Sequence, residues 1–192
     1  MTDEIKYLQI LKGKFPTQQS AYSEILNLNA ILNLPKGTEH FITDLHGEYQ
    51  AFSHFIKNGS GVVSSKITDA FGDQLSEIEK QKLAILICYP NEILNKYQKK
   101  LNLAEFNMYI ELNLRRMVNV CRLVATKYTK SKVRKALPKE YSYIIEELLY
   151  ETSGDNKNAY YESIIQKMIE LDRGVHFIRA LSGVISRLTI DH

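Results

Sequence analysis

The chain has 192 residues, of which 44% are apolar, and a formal net charge of +3. That length and apolar content suffice for one globular domain or somewhat more, and no stretch approaches the ~20 apolar residues that a membrane span requires. The polar N-terminus does not resemble a signal peptide, so the sequence predicts a cytoplasmic protein without a membrane partner. Cys88 and Cys121 lie in apolar helical patterns without Cys-x-x-Cys spacing, which predicts buried, reduced thiols.

The first sixty residues are predicted to form two helices, a strand and a third helix. Apolar residues recur every three or four positions over residues 3–15 and 17–33, as they do in amphipathic helices. A segment with proline and glycine follows, and residues 39–44 then have the character of a short strand. The helical period returns at Gly47 and continues to the sequence NGSG at 58–61.

The rest of the chain is predicted to be almost entirely helical. Ser76 and Glu79 have the spacing of a capping box ahead of the apolar run LAILICY, which favours a buried helix there. A continuous apolar stripe predicts one long helix. Its members are Leu103, Phe106, Ile110, Leu114, Met117, Cys121 and Val124.

The C-terminal third is predicted to contain three more helices. Pro138 is expected to start the first, because proline is favoured in the first turn of a helix. The next two are expected at about 159–171 and 174–187. Residues 188–192 resemble the start of a strand.

The cations are unevenly distributed along the chain. Between Lys96 and Lys135 there are eleven Lys or Arg residues and two Glu residues, a local charge of +9. A basic stretch can attract phosphorylated ligands or nucleic acid. A solvated helix face paired with acidic neighbours such as Glu146, Glu147 and Glu151 is the commoner arrangement, and it is the one we predict. A nucleic acid is therefore not the expected partner.

The sequence DLHGEY places Asp44 and His46 two positions apart at the end of the predicted strand. Residues i and i+2 of an extended chain project from the same face, so the two side chains could bind one ion. A carboxylate and an imidazole suit Mn, Fe or Zn. By spacing alone, an Asp that caps the next helix beside a hydrogen-bonded His is the more frequent arrangement.

Longer stretches of the sequence resemble one family, the class III fructose-1,6-bisphosphatases of bacteria. The stretches are LPKGTEHFITDLHGEYQAF, the neighbouring NGSG and LAILICYP. Members of that family are similar to calcineurin-like metallophosphoesterases, in which a β-sandwich flanked by helices carries a two-metal site at the strand ends.

The resemblance implies a domain organisation. Residues 1–60 would start the α/β metallophosphoesterase domain, residues 61–187 would form a helical insertion, and residues 188–192 would start the next strand. The chain as given is expected to be predominantly α-helical, with one short strand near 39–44.

The resemblance also implies a function and a metal site. The family removes the 1-phosphate from fructose 1,6-bisphosphate in gluconeogenesis, and its first metal motif is Asp-x-His. Asp44 and His46 are therefore expected to be metal ligands, with Mn²⁺ as the expected ion, and no residue of this chain is assigned a catalytic role. Two metal ions ~3.5–4 Å apart would hold a hydroxide and stabilise the leaving oxygen.

Other motifs of the family's site, Gly-Asp-x-x-Asp-Arg-Gly and Gly-Asn-His-Glu, are absent from the sequence. The sequence LDRG at 171–174 is not a substitute, because Met168 and Ile169 stand where Gly and Asp are required. Asp172 is instead expected at a solvated turn or helix boundary. The chain is thus expected to be an N-terminal fragment, inactive alone, that pairs with the C-terminal portion or with itself. Residues 38–46 are expected to be irregular, mobile or paired with another chain.

A second hypothesis treats the chain as a helical interaction or regulatory module. In it the basic segment 127–135, KYTKSKVRK, would contact phosphates or RNA. The segment lacks the interleaved aromatic residues expected of a surface that binds single strands.

Overall fold

The computed structural model describes residues 2–34, 41–150 and 158–190, without the side chains of Ser60 and Ile190. The chain divides into two compact units, Met1–Lys36 and Gly37–His192. The α-helices within the described residues are α1 (Asp3–Lys14), α2 (Gln18–Ile31), α3 (Tyr49–Asn58), α4 (Val62–Phe71), α5 (Glu77–Cys88), α6 (Pro90–Lys100), α7 (Leu103–Ala125), α8 (Lys130–Ala136), α9 (Ser142–Leu149), α10 (Asn158–Glu170) and α11 (Gly174–Ile190).

The first unit consists of α1 and α2, as the helical spacing predicted. Thr17 caps α2 by accepting a hydrogen bond at its hydroxyl from the backbone N–H of Ser20, and the Ser20 hydroxyl accepts one from the Thr17 N–H in return. Neither helix has a buried residue, so apolar side chains such as Leu8 and Ile25 are exposed.

The two predicted strands are not found in the described residues. Residues 41–44 adopt no regular structure, while 39 and 40 lie outside the described ranges. The prediction of a strand start at 188–192 is wrong for 188–190, which continue α11, and 191–192 are not described. A strand is stable only when its N–H and C=O groups pair with a neighbour. The described residues form no strand that could pair with either segment. The prediction of a predominantly helical chain is therefore confirmed, and the strand predictions are wrong for residues 41–44 and 188–190.

The core of the second unit is built around α7 and α11, which pack along each other. The predicted apolar stripe of α7 is confirmed, because Phe106, Ile110, Leu114 and the later members are buried while Leu103 at the helix start is exposed. Helices α4, α5, α6, α9 and α10 pack against α7 as well. Each large apolar side chain buried in this way contributes about 1.5–3 kcal/mol to stability.

The predicted capping box of α5 is present. The Ser76 hydroxyl accepts a hydrogen bond from the Glu79 N–H at 3.4 Å, and the Glu79 carboxylate accepts from the Ser76 N–H at 3.1 Å. LAILICY is helical up to Cys88, with Leu83, Ala84 and most of the run buried. The choice of helix over strand for this run is confirmed.

The segment after Pro138 departs from the prediction. The helix begins at Ser142 and not at Pro138, since the intervening residues form a turn in which the Tyr141 N–H donates to the Pro138 carbonyl at 3.1 Å. The predicted pairing of the basic segment with acidic neighbours is found for Arg134, which lies 2.6 Å from a carboxylate oxygen of Glu146. Glu151 lies outside the described residues.

Asp172 lies at a helix boundary, as predicted. It has a φ of 54° and follows α10 in a Schellman arrangement, in which its own N–H donates to the Ile169 carbonyl and the Arg173 N–H donates to the Met168 carbonyl. Gly174, which follows Arg173, begins α11 and packs against Ile110. A Cβ added at Gly174 would lie 2.4 Å from the Ile110 Cγ2 atom. This turn brings α11 back onto α7.

Both cysteines are free and buried, as predicted. Burial raises the pKa of the Cys88 thiol to about 11 and that of the Cys121 thiol to about 12. In the described part of the chain, none of the helices combines the length and apolar character needed to cross a membrane.

Candidate metal centre

The segment that carries Asp44 and His46 enters α3 through a tight turn. The Glu48 N–H donates to the Leu45 carbonyl at 2.8 Å, and the two central residues, His46 and Gly47, have φ values of 45° and 73°. Positive φ at both central positions is the signature of a type I′ turn. A histidine is strained in that region, whereas the glycine that follows it is not.

The turn brings the two predicted ligand side chains together. The Nε2 atom of His46 lies 2.6 Å from the Oδ2 atom of Asp44, and the two side chains are 80% and 64% exposed. The sequence predicts this proximity from the pleat of a strand. The structure achieves it without a strand, in a chain segment that bends at His46.

The donor set fits a metal in type but is incomplete in number. Neighbouring ligands on an octahedral ion with bonds of ~2.1 Å are ~3.0 Å apart, so the Asp44 and His46 donor atoms need to separate by less than 1 Å. A stable site takes at least four ligands. Within the described residues, no group of three or more His, Cys, Asp or Glu side chains is placed to hold an ion. The pair could therefore supply only one edge of a coordination sphere.

The pair borders an open cavity of 350 Å³. Its apolar lining includes Ile42, Leu45, Phe52 and Phe55, and its polar lining includes the candidate ligands and Glu48. The first turn of α3 opens beside it, and no side chain caps that helix end. Free N–H groups there favour an anion, although Glu48 at the N-cap position places a carboxylate at the same end.

A further contact that holds α3 is not indicated by the sequence. The Nδ1 atom of His54 lies 2.5 Å from the Tyr89 hydroxyl, across 35 positions of sequence. His54 lies on a helix and Tyr89 lies between two others, and no local sequence pattern predicts a contact between residues so far apart.

The basic segment forms the short helix α8 and the residues before it. Besides the Arg134 ion pair with Glu146, the Lys130 Nζ atom lies 4.7 Å from the centre of the Tyr150 ring, and Lys132 lies 5.8 Å from that of Tyr128. Several of its cations are thus satisfied within the chain, which favours a solvated helix face. That the segment binds phosphates or RNA stays a prediction.

Comparison with known proteins places the chain in a family. The family model for Firmicute fructose-1,6-bisphosphatase matches residues 6–192. Fructose-1,6-bisphosphatase class 3 1 of Clostridium beijerinckii is 52% identical over 194 residues, which cover 100% of this chain and 29% of the relative. The class 3 enzyme of Clostridium acetobutylicum is 52% identical over 192 residues, covering 98% of this chain and 28% of the relative.

The matched region lies in the N-terminal part of these relatives, and the chain spans less than a third of their length. No solved structure matches the chain. The family match extends over nearly the whole sequence and includes the Asp44 and His46 turn. The chain therefore belongs to the Firmicute fructose-1,6-bisphosphatase family.

Proposed function

We propose that the chain supplies the first metal motif and a helical body to a cytoplasmic class 3 fructose-1,6-bisphosphatase. The enzyme removes the 1-phosphate from fructose 1,6-bisphosphate by hydrolysis. The observation that carries the proposal is the family match over residues 6–192, because it spans both the candidate ligand turn and the helices packed behind it. The relatives matched are named as enzymes of this class.

Asp44 and His46 bind the metal in this proposal. Carboxylate oxygen and neutral imidazole nitrogen are both suited to Mn²⁺, the ion we propose. When bound, a divalent ion polarises the phosphate and makes a coordinated water more acidic. The turn at His46 and Gly47 contributes by holding both donor atoms on one side of the chain, next to the cavity and the first turn of α3.

The irregular segment 41–44 becomes a strand in the complete α/β enzyme. Within the described residues, none of its backbone N–H or C=O groups takes part in a hydrogen bond, and Phe41 is 86% exposed. Unpaired backbone groups beside exposed apolar side chains favour pairing with a neighbouring strand. The part of the relatives that lies beyond the matched region is the source we propose for that strand and for the missing metal ligands.

The chain by itself is expected to be inactive. Two ligands from one turn bind a divalent ion weakly, and no bridging carboxylate is available among the described residues to hold a second ion. Purified chain incubated with fructose 1,6-bisphosphate and Mn²⁺ should release no more phosphate than buffer does.

Complementation tests the proposal. The chain is co-expressed with the portion of the C. beijerinckii relative that lies beyond the matched 29%, and the purified complex is assayed for Mn²⁺-dependent phosphate release. Activity is expected with the wild-type chain. Asp44→Asn or His46→Gln should lower it at least ~100-fold, since even the loss of an outer-shell partner costs ~10–100-fold.

Two substitutions of the same type at exposed positions serve as controls. The controls are Asp73→Asn and His176→Gln. Asp73 lies in the 3₁₀ turn after α4, and His176 lies in the first turn of α11. Both should leave the activity within about twofold of wild type, because substitutions at exposed sites of this kind change the free energy of unfolding by less than ~0.5 kcal/mol. Equal activity of the Asp44→Asn and Asp73→Asn complexes would refute the assignment of Asp44 as a metal ligand.

A further inference from the structure

Helix α3 connects the Asp44 and His46 turn to the helical body, yet it has little apolar attachment of its own. None of its residues is buried, although α3 packs against α4, α5 and α11. The contacts with defined geometry are made by His54 and Lys57, in the C-terminal half of the helix. Two of them are made by Lys57, whose carbonyl accepts a hydrogen bond from the Cys88 thiol at 3.3 Å and whose Nζ atom lies 4.6 Å from the centre of the Tyr89 ring.

The third contact joins His54 to Tyr89. The Tyr89 hydroxyl lies 2.5 Å from the His54 Nδ1 atom, and the two rings are nearly parallel, with an interplanar angle of 8° and a centroid distance of 5.9 Å. Burial raises the pKa of the Tyr89 phenol, so the group stays protonated and can donate to a neutral imidazole. Tyr89 therefore contacts α3 through both its ring and its hydroxyl.

Tyr89 is itself fixed by the two helices that it joins. Its N–H donates to the Ile85 carbonyl at the end of α5, and its own carbonyl accepts from the Ile93 N–H at the start of α6. Pro90 follows as the first residue of α6 and restricts the backbone at that point. The side chain thus projects from a rigid junction onto α3.

Because α3 leads directly out of the ligand turn, fixing this helix also restrains the position of the ligand pair. A helix of ten residues is ~15 Å long. The Tyr49 N–H donates to the Gly47 carbonyl and the Phe52 N–H donates to the Glu48 carbonyl, and these bonds join the first turn of α3 to the ligand turn. Because a helix is stiff, a rotation at His54 displaces Asp44 and His46. The contact at His54, together with those of Lys57, therefore sets the direction of the whole segment.

We propose that His54 and Tyr89 are positioning residues, whose contact fixes α3 and with it the place of the Asp44 and His46 ligand pair relative to the helical body. That the contact fixes α3 is inferred from the contacts of this helix. That it also tightens metal binding rests on the proposed function. Neither His54 nor Tyr89 is among the residues that line the cavity beside Asp44 and His46.

The first test measures α3 in the chain alone. Tyr89→Phe removes the hydroxyl but keeps the ring, so amide hydrogen exchange in residues 49–58 should become about fivefold faster, as expected for one lost hydrogen bond. Exchange in α7 and α11 should not change. The matched control is Tyr128→Phe, which removes a tyrosine hydroxyl that donates to the Leu188 carbonyl at 3.0 Å in the same unit. It should leave residues 49–58 unaffected.

Thiol labelling provides a second readout of the same motion. The Cys88 thiol contacts the Lys57 carbonyl, so loosening α3 should expose it, whereas Cys121 lies in α7. Tyr89→Phe should increase the rate of Cys88 alkylation several-fold and leave the rate of Cys121 unchanged. Wild-type exchange in residues 49–58 together with a wild-type Cys88 rate in Tyr89→Phe would overturn the proposal.

The complemented enzyme tests the consequence for the metal. Tyr89→Phe should raise the Mn²⁺ concentration for half-maximal activity about fivefold and leave kcat at saturating Mn²⁺ unchanged, because the ligands are intact but less well placed. A fall in kcat that excess Mn²⁺ does not restore would overturn the positioning role. A wild-type complex without activity would instead refute the proposed function, and the exchange and labelling measurements would still decide whether His54 and Tyr89 hold α3.

Discussion

Glu79 and Arg116 form an ion pair that joins the first turn of α5 to the middle of α7, with 2.7 Å between the carboxylate Oε1 and the guanidinium Nη2 atoms. The other carboxylate oxygen of Glu79 accepts hydrogen bonds from the Ser76 N–H and hydroxyl. One side chain thus completes a helix cap and ties two core helices together. The Arg116 hydrogen bond, followed by those from Ser76, lowers the pKa of Glu79 to about 2.

This lowered pKa predicts acid sensitivity that depends on Glu79. A carboxyl group whose pKa is lower in the folded state stabilises the fold above its unfolded pKa, and the stabilisation is lost as pH falls through the folded value. For Glu79 the loss should extend from about pH 4.5 to about pH 2. Urea unfolding of Glu79→Gln should show lower stability than wild type at pH 7 and a smaller difference between the two at pH 3. A constant difference at both pH values would contradict the assignment.

Two glycines of α11 should respond in opposite ways to alanine. A Cβ at Gly174 would meet the Ile110 Cγ2 atom at 2.4 Å, whereas a Cβ at Gly183 would meet nothing within 4 Å. Gly174→Ala should lower the free energy of unfolding by about 1–3 kcal/mol through overpacking against α7. Gly183→Ala should raise it by up to about 1 kcal/mol, because alanine is the better helix former. Chemical denaturation of the two variants measures both changes, and equal effects would be inconsistent with the packing of α11.

Asp172 occupies a left-handed position that glycine adopts without strain. Its φ of 54° and the Schellman hydrogen bonds around it predict that Asp172→Gly stabilises the chain by about 0.5–1 kcal/mol. Asp172→Ala should destabilise it, since alanine has no side chain to offset the strain. Thermal unfolding of the pair separates the backbone effect from the loss of the carboxylate. An Asp172→Gly variant less stable than wild type would show that the carboxylate contributes more than the strain costs.

The two thiols should be inert in the native chain. Burial raises the pKa of Cys88 to about 11 and of Cys121 to about 12, so the reactive thiolate is scarce at neutral pH. Iodoacetamide at pH 8 should label neither residue appreciably in an hour, and both should react rapidly in 8 M urea. Fast labelling of Cys121 under native conditions would be incompatible with its place in the core. Mass spectrometry of tryptic peptides distinguishes the two sites.

Much of the helical architecture could be predicted from the sequence because its signals are local. The stripe of α7 and the Ser76 and Glu79 box depend on residues within one or two turns of each other, and both are found in the structure. The prediction that Pro138 starts a helix was wrong, because proline is equally suited to the turn that precedes a helix. Helix α9 begins at Ser142.

The candidate site was predictable in part for the same reason. Asp44 and His46 are two positions apart, so their proximity followed from local spacing even though no strand forms in residues 41–44. The strand depends on distant partners, which a local pattern does not contain. The contact of His54 with Tyr89 is likewise non-local and became visible only in the folded chain.

In the proposed function, His46 and Asp44 bind one metal ion together. Pulsed electron paramagnetic resonance of Mn²⁺ bound to the complemented enzyme measures this directly, because an imidazole nitrogen coordinated to the ion modulates the echo. We predict nitrogen modulation in the wild-type complex and in the His176→Gln control. Its depth should fall in His46→Gln because one coordinated imidazole is lost, and Mn²⁺ binding should be weaker in Asp44→Asn. Unchanged modulation in His46→Gln and wild-type Mn²⁺ affinity in Asp44→Asn would show that neither side chain is a metal ligand.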